Sequence, residues 1–370
     1  MKHAPTQHSA ATPPQPYQAP LWLPGGHLQT IWPALYGRRT PLATPPYRRA
    51  RWSTPDQDFI DVDWLDMAPT LAAARAALPP EGADFAWGGP ALQSAPTPAA
   101  VRAALPPLLV LFHGLEGSSH SHYARAFAAH AAERGWAFAV AHFRGCSGEI
   151  NLAPRAYHSG DYAEVDWILK RFRSEHPGPV VAVGISMGGN ALLRWAQERG
   201  HSAREQVCAV AAICSPLNLA AGGWALGRGF NRHVYTPMFL RTMKPKALLK
   251  LQQHPGLFDR KALDAASSLY DFDNVFTAPL HGYRNTDDYW SRASAQPHLH
   301  ALRLPSLLLH ARNDPFIPNW SLPHKHETSA HVTLWQTAQG GHVGFAQGRA
   351  PGDLRYLPHA VADWLHQHTG

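Results

Sequence analysis

Three widely separated residues of this chain could act together on an acyl bond. Gly184-Ile185-Ser186-Met187-Gly188 is a G-x-S-x-G pattern. A run of small and β-branched apolar residues, Val180 to Ile185, stands before the serine, and a helical pattern from Ala191 to Arg199 follows it. A buried strand, a sharp turn and a helix are the setting of a nucleophile elbow. The turn is strained at the serine, so its neighbours must be almost without side chains for strand and helix to approach. A serine hydroxyl is a weak nucleophile. It needs a base, and the base needs an orienting carboxylate. At a strand-to-helix elbow the partners follow in the order acid, then histidine.

Asp314 fits the acid, because Ser306 to His310 reads as a strand that runs into Ala311-Arg312-Asn313-Asp314-Pro315. An Asp before Pro is also an ordinary turn former. His342 fits the base, within Gly340-Gly341-His342-Val343-Gly344 after a strand from Val332 to Trp335. The chain has 24 His, so only position and flanking glycines single this one out, with His359 the weaker rival. Asp287 and Asp288 are the alternatives for the acid.

The developing oxyanion needs two backbone N–H groups. One is expected from Met187. The other is expected from the loop His113-Gly114-Leu115-Glu116-Gly117 after the strand Leu108 to Phe112, with Leu115 as donor. His113 reads as a support for that loop, and Gly114, Gly184 and Gly188 as the residues that give the backbone room.

These residues must be positioned by alternating strands and helices. The pattern predicts strands at Leu108–Phe112, Trp136–His142, Val180–Ile185, Val207–Cys214, Ser306–His310 and Val332–Trp335. Helices are expected over Ser121–Arg134, Ser159–Phe172 and Leu357–His368. Such alternation implies an α/β fold with a mostly parallel sheet covered on both faces. Before it, Ile60, Val62 and Trp64 alternate with Asp61 and Asp63, which predicts a half-buried antiparallel strand paired with one near Arg48 to Ser53. Leu21 to Leu35, broken by Pro and Gly, reads as an ordered arm without regular structure. Residues 1–20 read as a flexible N-terminal arm, leaving 21–370 as one domain. Residues 69–107, rich in Ala, Pro and Gly, form an expected surface insertion with a short helix at Leu71–Leu78.

Residues 217–303 show no strand pattern and carry helical pieces at Pro237–Leu251 and Phe258–Tyr270. Apolar and aromatic residues recur there (among them Trp224, Phe239, Phe272, Phe276 and Trp290). This predicts a helical cap inserted between two sheet strands. Most of its aromatics should form the cap's own core, and a few should line an acyl pocket.

Composition narrows the function. The chain has 370 residues, is 45% hydrophobic and 16% charged, and carries a formal charge of +7. The basic residues read as scattered short pairs with no basic helix, and no nucleic-acid motif appears. Three cysteines without C-x-x-C spacing give neither a disulfide framework nor a zinc site, and suggest a reducing, cytoplasmic setting. No stretch approaches the ~20 apolar residues of a membrane span. Neither a P-loop nor a Rossmann glycine pattern is present, so no cofactor is expected. Ser rather than Asp at the elbow argues against dehalogenase or epoxide-hydrolase chemistry. The expected partner is a small-molecule acyl ester; nothing in the residues fixes an oligomeric state.

The motifs FHGLEGSSHSHYARAFA (112–128), HFRGCSGEIN (142–151), RAYHSGD (155–161), GISMGGN (184–190) and RNDPFIP (312–318) resemble those of the bacterial YheT-type α/β-hydrolases. These are related to membrane-anchored eukaryotic α/β-hydrolase-domain proteins. The LPGGHLQT arm (23–30) and the DFIDVDW strand (58–64) are similar too, so the resemblance runs from about Trp22 through most of the chain. It implies an α/β-hydrolase fold and hydrolysis of short- to medium-chain or lipid esters, with Ser186, Asp314 and His342 as the triad. The anchor of the eukaryotic relatives has no counterpart in this sequence, and the 69–107 insertion is longer than expected for the family. An acyltransferase or thioesterase would use the same three residues. A hydrolase-like binding module without catalysis would be expected to have lost one of them.

Overall fold

The computed structural model describes residues 16–37, 46–65 and 105–369. The helix expected at Leu71–Leu78 and nearly all of the 69–107 insertion lie outside these residues. Eight strands form one sheet: β1 (Tyr47–Ser53), β2 (Phe59–Leu65), β3 (Leu108–Phe112), β4 (Ala137–Ala141), β5 (Val180–Ile185), β6 (Ala209–Ile213), β7 (Ser306–Ala311) and β8 (Val332–Thr337). Their spatial order is β1-β2-β4-β3-β5-β6-β7-β8. β1 and β2 are antiparallel to their neighbours, and the other pairs are parallel.

The central strands are continuously apolar because both of their faces are covered. Leu109, Leu111, Phe138, Val183 and Ile185 point to one side. There they meet α2 (His122–Glu133) and α10 (Tyr356–His366) through Phe127, Val361 and Trp364. Leu108, Val110, Phe112 and Ala182 point to the other side. They pack on α3 (Tyr162–Glu175) and α4 (Met187–Arg199) through Ile168, Phe172, Leu192 and Trp195. Each of these large side chains contributes on the order of 1.5–3 kcal/mol by leaving water.

Between β6 and β7 the chain is helical: α5 (Leu219–Leu226), α6 (Gly229–Gln253), α7 (Arg260–Ala265), α8 (Leu269–Phe272), a π-helical turn at Asp273–Thr277, and α9 (Thr286–Ala293). The helix expected at Phe258–Tyr270 is split, because Ser268 starts a new one with a capping box closed by Asp271. The helix expected at Pro237–Leu251 is longer and runs through Pro237 and Pro245.

Four other expectations are corrected. Gly25–Tyr36 is a helix, α1, and not an irregular arm. Pro24 stands just before it, where no N–H is needed. Pro33 removes only the donor to Gln29, whose carbonyl faces Gly344, with no room there for a Cβ (1.8 Å). Second, Asp61 and Asp63 do not face water. β2 lies between β1 and β4, and both carboxylates are 2% exposed. Arg51 and Arg49 each grip one of them through two nitrogens at 2.7 and 2.9 Å, which compensates the charge. Third, the end of the N-terminal stretch is held down: Tyr17 packs on Phe345 and Tyr356, and its hydroxyl donates to the Ala346 carbonyl. Fourth, a basic helix does exist, since α6 carries Arg232, Arg241, Lys244, Lys246 and Lys250 and no acid.

Candidate active site

The elbow places Ser186 at the end of β5 with φ of 51° and ψ of −121°. This region is strained for a residue with a Cβ and persists only where packing over-determines it. The glycines supply that packing. A Cβ on Gly188 would stand 2.4 Å from the His113 carbonyl oxygen, and one on Gly184 2.4 Å from the Gly189 Cα. Gly189, which the motif reading passed over, is as tightly held: its Cβ would lie 1.9 Å from Ser215 Oγ. Asn190 anchors the start of α4 to the return of the cap. Its amide donates to the Ser159 and Ala293 carbonyls, and its oxygen accepts from Ala295 N–H.

Asp314 and His342 come to the same place from the ends of β7 and β8. His342 Nε2 lies 2.9 Å from Ser186 Oγ, and His342 Nδ1 lies 2.8 Å from Asp314 Oδ2. The carboxylate is 1% exposed, so its interaction with the imidazole is little screened by water. Asp314 Oδ1 accepts the Phe316 N–H, which fixes the carboxyl plane. The Phe316 ring packs on the His342 ring at 4.3 Å. The rivals lie elsewhere: His359 packs against His130, and Asp288 pairs with Arg284 and Arg292 on the cap surface.

The loop after β3 approaches the elbow closely, and a Cβ on Gly114 would be 3.2 Å from Ser186 Cβ. Three of its amides are engaged. Gly114 N–H donates to Tyr123 Oη, Glu116 N–H to Tyr157 Oη, and Gly117 N–H to the Gly114 carbonyl. Among the described residues no acceptor is seen for the N–H of Leu115 or Met187. Glu116 sits at φ of 57° and is clamped, since the Tyr157 hydroxyl donates to it and Lys246 of α6 pairs with it at 2.9 Å. His113 is fully buried; its Nε2 accepts from Phe143 N–H and its Nδ1 donates to the Gly114 carbonyl. Burial lowers its pKa to about 3, so it is a neutral support with a fixed tautomer.

Sequence reasoning missed the role of α1. Gln29 Oε1 accepts from Asn313 Nδ2 and from Gly340 N–H, both at 2.9 Å. Thr30 Oγ1 accepts the N–H of His342 itself. Asn313 Oδ1 accepts Gly341 N–H. Two buried side chains of this one helix thus tie the Asp314 loop to the His342 loop. The signal was two polar residues, Gln29 and Thr30, inside an otherwise apolar stretch.

A pocket partly open to solvent leads away from Ser186 and His342. Its cap side is apolar, with Leu219, Leu226, Phe239, Met243, Phe272 and Phe276. Lys246, Glu116, Lys250 and Arg144 form a polar end. Asp273, on the π-helical turn, also faces it; burial raises its pKa to about 6 against the lowering effect of hydrogen bonds from Thr277 and Trp290. The three cysteines are free. Burial pushes the Cys146 thiol up to about 12, which suits it poorly to nucleophilic attack.

A sheet of this order with helices on both faces and an elbow after a central strand defines an α/β hydrolase, and the family comparison agrees. Residues 107–348 match the model of the alpha/beta hydrolase fold family. The chain belongs to that family, in its YheT-type bacterial branch: it is 34% identical over 342 residues to "Putative esterase YheT" of Escherichia coli (strain K12), covering 92% of this chain and 89% of that one. Phospholipase ABHD3 of Mus musculus is 31% identical over 255 residues, 67% of this chain and 61% of its own length. Among solved structures, the Pyrococcus furiosus esterase Pf2001 superposes with a TM-score of 0.51 at 13% identity, over 88% of this chain and 94% of that one, a likeness of fold alone. No helix among the described residues is long and apolar enough to cross a membrane.

Proposed function

We propose that the protein is a serine esterase that hydrolyses small carboxylic esters with short- to medium-chain acyl groups through an acyl-enzyme. The observation that carries this reading is the continuous hydrogen-bonded chain from Ser186 Oγ through His342 to Asp314, with Ser186 and His342 lining a largely apolar pocket. The esterase and lipase names of relatives, including a monoacylglycerol lipase of Saccharomyces cerevisiae, support ester chemistry in general.

In this mechanism Ser186 Oγ attacks the ester carbonyl carbon while His342 Nε2 takes its proton. Asp314 holds the imidazole with Nδ1–H toward its carboxylate and stabilises the cation that forms. The carbonyl electron pair moves to oxygen, where the N–H groups of Leu115 and Met187 receive it. The tetrahedral adduct collapses, the alkoxide leaves with the proton from His342, and the acyl group stays on Ser186. A water, deprotonated by the same histidine, repeats the sequence and releases the acid.

Acyl preference then follows from the cap. Each buried methylene is worth about 0.8 kcal/mol, nearly fourfold in binding. With p-nitrophenyl esters of increasing chain length, kcat/KM should climb over the first several carbons and fall once the pocket is full. A dissolved, monomeric ester should be turned over without any lipid interface. A flat profile, or no turnover of any dissolved ester, would contradict this reading.

A further inference from the structure

Two buried histidines, His130 and His310, have neither ring nitrogen in a hydrogen bond among the described residues. A buried polar group left unpaired is costly, and it asks for a water, an ion or a ligand. His310 belongs to no trio of potential metal ligands. His130 does: it stands beside Glu133 and His359, and the donor atoms of these three residues lie within 4.8 Å of one another. The other such trio among the described residues is Cys214, Asp314 and His342, which belongs to the site beside Ser186.

The trio is built on regular elements. His130 and Glu133 are three residues apart in the last turn of α2, so they share a face. His359 lies on α10, which shares one core with α2 through Phe127, Leu357 and Val361. The His130 and His359 rings pack with centroids 4.3 Å apart. His130 Nδ1 is 3.9 Å from Glu133 Oε2, which is too far for a hydrogen bond. A tetrahedral ion with bonds of about 2.1 Å sets its ligand atoms about 3.4 Å apart. His130 is 5% exposed and held by the packing around it, whereas Glu133 and His359 are exposed. Small rotations of those two side chains close the gap.

The donor set selects the ion. Two imidazoles and a carboxylate suit Zn²⁺ and its transition-metal neighbours, whereas Mg²⁺ and Ca²⁺ prefer oxygen ligands alone. An imidazole binds through one nitrogen and keeps its proton on the other. A metal on Nδ1 therefore answers one of the two orphaned atoms of His130. The nearby cations stand in the way only weakly. Arg355 pairs with Glu133 at 3.7 Å, but both are well exposed, so that pair gives way easily. Arg134 is taken up by Asp363.

We propose that His130, Glu133 and His359 bind a divalent transition-metal ion, with Zn²⁺ the best match, and that the ion bridges α2 to α10. The site is independent of the role given to Ser186, and its test reads binding without turnover.

The test titrates the untagged full chain, stripped with a chelator, with ZnCl₂ by calorimetry and follows its thermal midpoint, with MgCl₂ as control. The wild type should bind Zn²⁺, and saturating Zn²⁺ should raise the midpoint by about 2 °C or more. Mg²⁺ should do neither. His359→Ala and Glu133→Gln change exposed positions and should keep the metal-free midpoint of the wild type. Each should weaken the tightest binding event at least about tenfold, since loss of an outer partner of a metal ligand alone can cost that much. Each should also lose most of the rise in midpoint. No Zn²⁺ binding by the wild type, or variants that bind it like the wild type, would overturn the proposal. Zinc held by Cys214, Asp314 and His342 instead would give the second of these results.

Discussion

The hydroxyl of Thr30 accepts the backbone N–H of His342 at 2.8 Å, across 312 positions of sequence. The same hydroxyl donates to the Gly26 carbonyl at 2.7 Å, so α1 fixes its direction. His342 is therefore placed by a helix outside the strand-helix alternation that builds the sheet.

Thr30→Val keeps the volume and leaves that N–H without an acceptor, at a cost of roughly 1–3 kcal/mol of stability. Because a shift of about 1 Å in a catalytic group can cost ~100-fold, kcat should fall between about tenfold and 100-fold with KM little changed. Thr30→Ser should restore most of it. Steady-state kinetics of the two variants decides the point, and a Thr30→Val enzyme with wild-type kcat would remove α1 from the positioning of the base.

Asp314→Asn should fold normally and lose up to about 10⁴ in turnover, since the imidazole would lose its orienting anion. The comparison is with Asp288→Asn, which alters only a surface cluster with Arg284 and Arg292 and should be fully active. Equal activity of the two variants would displace the acid.

Asp273 makes a prediction about stability and pH. Burial raises its pKa from 3.8 to about 6, so the folded state favours the protonated form. Its contribution is present below the unfolded pKa and is lost as pH rises through about 6. Asp273→Asn removes that penalty. The amide can still accept from Trp290 Nε1, and the Thr277 hydroxyl can turn to accept from it. Urea unfolding at pH 4 and pH 8 should show the Asn variant gaining roughly 2.4 kcal/mol on the wild type between the two. A difference between the two proteins that does not change with pH would contradict an ionising Asp273 in the folded core.

The parallel strands were legible because continuous apolar runs bounded by turns have few other uses, and the elbow because its glycines leave a pattern in the residues. The arrangement of Asp314 and His342 was legible from chain order and flanking glycines. What could not be read rests on tertiary partners. Asp61 and Asp63 look like the polar side of a half-exposed strand until Arg49 and Arg51 are brought beside them. α1 is masked by Pro33, whose missing N–H matters little because the Gln29 carbonyl is packed against a loop more than 300 residues away.

Labelling with a fluorophosphonate, read beside p-nitrophenyl ester turnover in the wild type and in Ser186→Ala, tests the account most directly. The wild type should become covalently labelled at Ser186 and lose activity in step. Ser186→Ala should take no label and lose turnover by a factor on the order of 10⁶, as when a triad serine is removed in a comparable hydrolase. Undiminished labelling or turnover in Ser186→Ala would mean that another nucleophile does the chemistry and that the Ser186–His342–Asp314 chain does not.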